Sequence, residues 1–433
     1  MGVLLVLNKS YAQDPRAQRE VRALVEAGYR IDVFCFADSA FPSPELSGVI
    51  FHIFPMARGR STLLRYVWEY AAYAIWASAL AIALRVRRRY HLMQVFLAPE
   101  ALFLVCLLPK LTGVRVVADW MDLGSELYAS KFSGPLTFFM LWVNRRMESV
   151  IVCLSDLIIF PNEGFREALL SRKAVVSRYC IVLNAADSSA FNPVAFQNAR
   201  VAGTTQCRVL FSGTLSRRSG VNTLLKAFFL ASRSVPGLTL TILGEAVEPM
   251  DSDLLNRVVF NPQIQVVGRV AHARVREFIE AADIGVIPLS NTPFTRVNLP
   301  TRIFEFGAAR KPVICSELPG VRQYFSASEL AFCPPDHATA LAGAICELAW
   351  DHGRRKSLGE SLHLRCQQLS WESAKHCYLR SLQGVLVCEF TNAPSSRTGK
   401  PGDGMQFRRR MQSAPGVGLI RRVGRALKRF YPG

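Results

Sequence analysis

Glu305 and Arg302 stand three residues apart in NLPTRIFEFGAARKPVICSELPG at 298–320, after a proline and ahead of a short apolar run. Pro300 suits the first position of a helix, and the i, i+3 spacing sets both side chains on one face near its N-terminus. An ionised glutamate only accepts hydrogen bonds and can take two hydroxyl donors at once, which suits the vicinal diol of a ribose. An arginine beside it suits a diphosphate. The same two residues also make an ordinary exposed ion pair, worth about 0.2–0.5 kcal/mol. A second candidate is FSGTLSRRSGVNTLLKAF at 211–228, where Gly213 follows an apolar run and Gly220 opens a helix. Backbone N–H groups there could cradle a phosphate while Arg217 or Arg218 adds charge. Glycines in such a turn are equally explained by tight backbone geometry.

Such residues work together only if the chain brings them to the carboxyl ends of parallel strands, where open α/β sheets bind ligands. Apolar runs at 3–7, 31–36, 92–97, 114–118, 157–160 and 181–183 alternate with helical stretches in the first half. The second half starts again with RVLFSGTL, LTLTILGEA, IQVVGRV, IGVIPLS, KPVICS and LAFCPP. That alternation predicts an α/β protein of two tandem Rossmann-like, doubly wound domains facing a cleft. The polar stretch 186–206 separates them, giving domains at 1–190 and 200–390. A last helix is expected at 371–387. Asp14 and Pro15 read as the N-cap and first residue of an early helix.

The chain has 433 residues, enough for two full cores, and a net charge of +19. Roughly half the excess lies in 394–433, where ten Lys and Arg face the single acid Asp403. Residues 391–433 read as a flexible linker and a tail whose GVGLIRRVGRALKRFY puts apolar residues on one helical face and basic ones on the other. Helices of that kind lie on anionic membrane surfaces, the alternative being a solvated basic tail. The uncharged stretch 70–84 is shorter than the roughly 20 residues a membrane span needs and reads as a buried or membrane-grazing helix. The eleven cysteines form no CxxC pair or metal-ligand spacing. With no leader at the start, a cytoplasmic protein attached peripherally to the inner face of the cell membrane is the expectation. The basic charge sits in the tail and the motifs lack interleaved aromatics, which argues against nucleic acid.

The segment ADIGVIPLSNTPFTRVNLPTRIFEFGAARKPVI resembles the nucleotide-sugar segment of family 4 glycosyltransferases of GT-B fold. DPRAQREVRALVEAGYRIDVF, PEALFLVCLLPKLTGVRVVADWMDLGSELYASKF, IVLNAADSSAFNP, FSGTLSRRSGV and SWESAKHCYL resemble that family's successive blocks, in the same order. The resemblance covers residues 1 to about 388 and implies a retaining transfer of a sugar from a nucleotide-diphosphate donor to an acceptor hydroxyl. By the same resemblance the second domain holds the donor, Glu305 the ribose, and Arg302 and Arg218 the diphosphate. Gly213 gives close backbone approach, and Asp122 faces the reacting sugar. The donor is a UDP-sugar first and a GDP-sugar second, the acceptor a lipid-linked or polysaccharide glycan, and no metal or other cofactor is implied. Asp14 and Arg16 match the family's D-P-R and could line the acceptor side. The chain departs from the pattern at Met121, where many members have His, and at Val297, upstream of Glu305, where a first acid is common. Thr214 and Ser219 replace basic residues of the glycine loop. These departures keep open a catalytically degenerate nucleotide-sugar-binding protein; because fold does not fix function, a sugar-nucleotide epimerase of the same architecture is the other alternative, against which the absence of His at Met121 counts. No catalytic His is assigned, and no oligomeric state is implied.

Overall fold

The computed structural model describes residues 1–387 except 39–45, 58–62, 89, 98, 132–134, 173–175, 177, 186–205, 249–250 and 271. The expected tail helix and nearly all of the expected interdomain linker lie outside the described residues. The first sheet is formed by β1 (Gly2–Val6), β2 (Arg30–Ala37), β3 (Val49–Ala57), β4 (Leu92–Leu97), β5 (Arg115–Trp120), β6 (Leu157–Phe160) and β7 (Tyr179–Ile181). All pair in parallel, in the order β3-β2-β1-β4-β5-β6-β7. The second sheet runs β10-β9-β8-β11-β12-β13, also parallel. Its strands are β8 (Cys207–Ser212), β9 (Leu238–Leu243), β10 (Ile264–Gly268), β11 (Ile284–Ile287), β12 (Val313–Ser316) and β13 (Ala331–Cys333). Two doubly wound domains are therefore present as expected. Each has its switch in strand order between its first and fourth strands, β1/β4 and β8/β11.

Parallel sheets need both faces covered, which explains the near-continuous apolar strands. On one face of the first sheet lie α2 (Leu63–Arg88), α3 (Leu107–Leu111), α4 (Gly124–Lys131), α5 (Pro135–Leu154) and α6 (Glu163–Ser171), around Phe34, Met93, Trp120 and Phe160. The other face is covered by α1 (Pro15–Glu26) and, unexpectedly, by α15 (Trp371–Val387). The sequence expectation places this helix within the second domain, 200–390. Its Tyr378, Leu382, Val385 and Leu386 instead pack with Val3, Leu5 and Phe96 of the first sheet, and Tyr378 Oη donates to Gln94 at 2.8 Å. The physical reason is coverage: α1 alone is too short to shield a face of a seven-stranded sheet. The second sheet is flanked by α7 (Val221–Ala231), α8 (Ser252–Val259), α9 (His272–Ala281), α11 (Thr301–Ala308), α12 (Pro319–Arg322), α13 (Ala338–Trp350) and α14 (His352–Gln368), while the short α10 (Pro293–Val297) packs against α4 and α6 of the first domain.

A fully buried polar network joins α1, β4, β5 and α15. The Arg16 guanidinium forks onto Asp119 (Nη2 to Oδ1 2.8 Å, Nε to Oδ2 3.3 Å), lies 3.1 Å from Glu20 and donates to the Val182 carbonyl at 2.7 Å. Gln94 Nε2 donates to Glu20 at 2.6 Å and to Asp119 at 3.0 Å. Two buried carboxylates share one guanidinium, so burial and the adjacent Asp119 hold the Glu20 carboxyl well above its ordinary range. Arg16 is thus a structural keystone of the first domain rather than a lining of the acceptor side. Asp14 is the N-cap of α1, accepting from Ala17 N–H at 3.2 Å with Pro15 at the first helical position, as its sequence pattern predicts.

Candidate functional site

The switch between β8 and β11 gathers most of the candidate residues of the second domain. After β8 the chain turns at Gly213, whose N–H donates to Leu243 O at 2.9 Å, and β9 ends beside it at Leu243, followed by Gly244. A Cβ at Gly244 would lie 1.9 Å from the Gly213 carbonyl oxygen, so the two loops approach as closely as backbone allows. They then pair through Leu215 N–H to Glu245 O at 2.9 Å and Val247 N–H to Leu215 O at 3.1 Å. Beyond them opens a cavity of about 530 Å³, lined mainly by apolar groups of Leu215, Ile242, Ala246, Val258 and Val266, with Glu245 and Arg269 among its polar residues. Its size suits a small-molecule moiety such as a nucleobase. The sequence reading missed it because the wall comes from β9, β10, α8 and the loops that follow β8 and β9, and no single segment carries its pattern.

Arg217–Ser219 form one 3-10 turn after that loop. Ser219 Oγ accepts from Ser216 N–H at 3.0 Å and donates to Ser216 O at 2.7 Å, so the residue standing in place of a lysine shapes the turn. Gly220 closes it with φ +68°, and a Cβ there would fall 1.6 Å from the Pro288 carbonyl oxygen, which only glycine permits. The Arg218 carbonyl accepts from Ser290 N–H at 3.0 Å, and its guanidinium lies 5.2 Å from the Phe294 ring centroid. Arg218 Nη1 is buried without a hydrogen-bond partner among the described residues. A buried cationic donor left unpaired is costly and marks a place for an anion.

On the β11 side, α10 bridges the two domains. Phe294 is packed in the core of the first domain, and its N–H donates to Ser130 Oγ of α4 at 3.2 Å. Val297 packs against the same core, and its carbonyl leaves room only for glycine at Gly164 in α6, where a Cβ would approach within 2.7 Å. The position that often carries a first acid in the family pattern is here a hydrophobic contact between domains. A second link runs from Glu163 N–H to Tyr324 Oη at 2.7 Å. Pro300 is the N-cap of α11, one residue earlier in the helix than its pattern suggests, because the first helical φ and ψ begin at Thr301. Arg302 Nη1 donates to Glu305 Oε2 in the expected i, i+3 pair; Glu305 is buried and Arg302 partly exposed. Each is thus a partner of the other.

Asp122 occupies the half-buried turn between β5 and α4. The turn is held by Glu100, whose Oε1 accepts from Gly124 N–H at 2.7 Å. Burial raises the Glu100 pKa and the charge of Asp122 adds to the rise, so the two carboxylates sense each other. Met121 beside it packs into the core shared with α1 and α15. At the start of α4, Ser125 Oγ donates to Glu148 at 2.6 Å, and the Arg172 guanidinium contacts both Glu148 and Glu126. One guanidinium between two buried carboxylates leaves one acid best kept neutral. Burial pushes the Glu148 carboxyl from 4.5 up to about 7. A raised folded-state value means that the stability this group contributes is complete below its unfolded value and is lost as pH rises through about 7. Glu148→Gln is therefore expected to remove a decline of roughly 2 kcal/mol in unfolding free energy between pH of about 5.5 and 8. Urea titrations at each pH read this, and an unchanged pH dependence in the variant contradicts it. Among the described residues no group of His, Cys, Asp and Glu is arranged to hold a metal.

The description "Glycosyl transferase 4-like domain" matches residues 13–185, and "Glycosyl transferases group 1" matches residues 206–351. The chain belongs to the group 1, or family 4, glycosyltransferases and has their GT-B fold. The Bacillus subtilis protein named for teichuronic acid biosynthesis, the glycosyltransferase TuaC, is 36% identical over 212 residues, covering 44% of this chain and 52% of that protein. The chain spans about half the length of the curated relatives it matches. Among solved structures, sucrose-phosphate synthase from Thermosynechococcus elongatus has a TM-score of 0.68 at 19% identity over 90% of this chain and 100% of that one. Anabaena Alr3699/HepE in complex with UDP-glucose gives 0.62 at 16% identity, over 88% and 99%.

Proposed function

We propose that the protein moves a sugar, with retention at the anomeric carbon, from a nucleoside-diphosphate donor in the second domain to an acceptor hydroxyl presented by the first. The observation that carries this reading is the buried, unpartnered Nη1 of Arg218 at the β8/β11 switch. By strand order its loop stands between the cavity, on the β9 and β10 side, and Arg302 and Glu305, on the β11 side. In the proposed arrangement the cavity takes the base, and Glu305 leaves Arg302 to accept both ribose hydroxyls. The freed Arg302 then joins Arg218 and the N–H groups near Gly213 at the diphosphate. Cleaving the glycosidic bond builds positive charge on the sugar and negative charge on the leaving diphosphate, which fixed cations stabilise without a metal. Asp122 faces the sugar; either its carboxylate or a leaving phosphate oxygen takes the acceptor proton.

A UDP-sugar is the first choice of donor, supported by the UDP-glucose held by the structurally similar Anabaena protein, with a GDP-sugar second. A lipid-linked or polysaccharide glycan is the proposed acceptor, in keeping with the teichuronic acid pathway for which the Bacillus relative is named. That acceptor in turn favours a protein peripherally attached to the cytoplasmic membrane face. The apolar packing of Met121 and Val297 favours one rival, a binding protein that keeps the nucleotide and has lost turnover.

Thermal shifts with UDP, UMP and uridine test the arginine assignment. UDP is expected to stabilise most, and Arg218→Ala to erase most of the difference between UDP and UMP. An Arg218→Ala protein that still separates the two contradicts the assignment. Release of nucleoside diphosphate from a bound nucleotide-sugar separates transferase from binder.

A further inference from the structure

We propose that one outer face of the first domain, built by α2, α5 and the Glu100–Leu111 segment between β4 and β5, docks on an anionic lipid bilayer. The proposal rests on exposure and charge and is independent of the donor-site reading. The inner stripe of α2, with Tyr70, Tyr73, Ala77, Ala81 and Leu84, is buried against the sheet. Its outer stripe carries Trp68 (65% exposed), Ile75 (71%), Ile82 and Val86 (79%). Steps of seven, seven and four residues keep these four within a narrow arc at 100° per residue, along roughly 27 Å of helix. The adjoining segment, packed against α2 and α5, exposes Leu104, Leu108 and Leu111. α5 adds Phe138 (75%), Phe139 and Trp142, with the Phe139 and Trp142 rings stacked at 6.3 Å. A soluble surface scatters such residues singly; a continuous run over three neighbouring segments marks an interaction face.

Charge decides the occupant. The acids of these segments are Glu69, Glu100 and Glu148, and all three are buried. Arg65 is neutralised by Glu69 at 2.8 Å, while the charges turned outward include Arg87, Arg145 and Arg146, and the Arg146 guanidinium sits 5.4 Å from the Trp142 ring centroid. Aromatic rings and aliphatic side chains rimmed by arginines, with no outward acid, match the boundary between acyl chains and anionic headgroups. A second copy of the chain fits worse, because its arginines would meet these. Docking is by lying on the bilayer: the inner stripe of α2 belongs to the protein core, and among the described residues no helix is long and apolar enough to cross a membrane.

The test uses the full chain with phosphatidylcholine vesicles, with and without phosphatidylglycerol, whose acyl chains carry bromine. Bromine is expected to quench Trp68 and Trp142 in the anionic vesicles and to spare Trp350, which is exposed on the second domain. Phe138→Ser with Trp142→Ser should lower vesicle binding roughly tenfold through lost apolar burial. Arg145→Ser with Arg146→Ser should lower it by a similar factor on anionic vesicles alone. Pelleting without quenching would assign attachment to the tail and overturn the proposal. Unchanged binding in both double variants would do the same, as would a dimer that Trp142→Ser converts to monomer. Loss of nucleotide binding or turnover would strike the donor-site reading and leave this face intact.

Discussion

Glu305→Ala is expected to weaken binding of the nucleoside diphosphate by roughly tenfold to a hundredfold, the loss of two hydroxyl hydrogen bonds to a charged acceptor. Part of that gain is offset in the native protein, because the Arg302–Glu305 pair must open first. The pair is partly exposed on the arginine side, so opening costs little. Glu305→Gln should fall between wild type and alanine, since an amide oxygen accepts but carries no charge. The dependence on the ribose is the specific signature: nucleotides lacking the 2′-hydroxyl should bind the wild type more weakly and Glu305→Ala almost indifferently. Calorimetry reads all of these. Equal affinity of wild type and Glu305→Ala would make the two residues an ordinary helix pair.

The largest effect on stability is expected from Arg16→Ala, which leaves Asp119 buried at 0% exposure without its cation. Removing one partner of a buried ion pair costs roughly 3–5 kcal/mol, and here the same change also frees the Val182 carbonyl and one contact of Glu20. Arg16→Lys should recover less than half of the loss, because a single ammonium cannot fork onto both oxygens of Asp119 and also reach Val182. Denaturant midpoints for the three proteins decide this. A loss below about 1 kcal/mol, the size of a surface pair, would contradict the role assigned to the network.

Arg16 also illustrates what sequence reading reaches and where it stops. The local pattern D-P-R identified Asp14 as a cap and Pro15 as the first helical residue, because both effects act within one turn. Nothing near Arg16 in the chain announces its partner Asp119, 103 residues away. The apolar runs of the second domain all became strands, since the inner strands of a parallel sheet are covered on both faces and need apolar sequence, while edge strand β10 keeps its pattern with one side open. β3 went unread: it is an edge strand interrupted by Pro55, and edge strands tolerate proline that interior ones exclude. The ends of α15 were legible from its helical pattern, yet its docking on the first sheet was not, because an apolar stripe does not say which sheet it will cover. At the site, the spacing of Arg302 and Glu305 was readable. The meeting of Arg218 with Phe294 was not, because it depends on α10 reaching the other domain.

The most direct measurement is a crystal structure of the protein with whichever nucleoside diphosphate stabilises it most in the thermal screen. The account predicts the base in the cavity beside Leu215 and Ala246, the ribose hydroxyls on Glu305, and the phosphates between Gly213, Arg218 and an Arg302 released from its pair. A nucleotide bound away from the β8/β11 switch, with the Arg302–Glu305 pair intact, would contradict it.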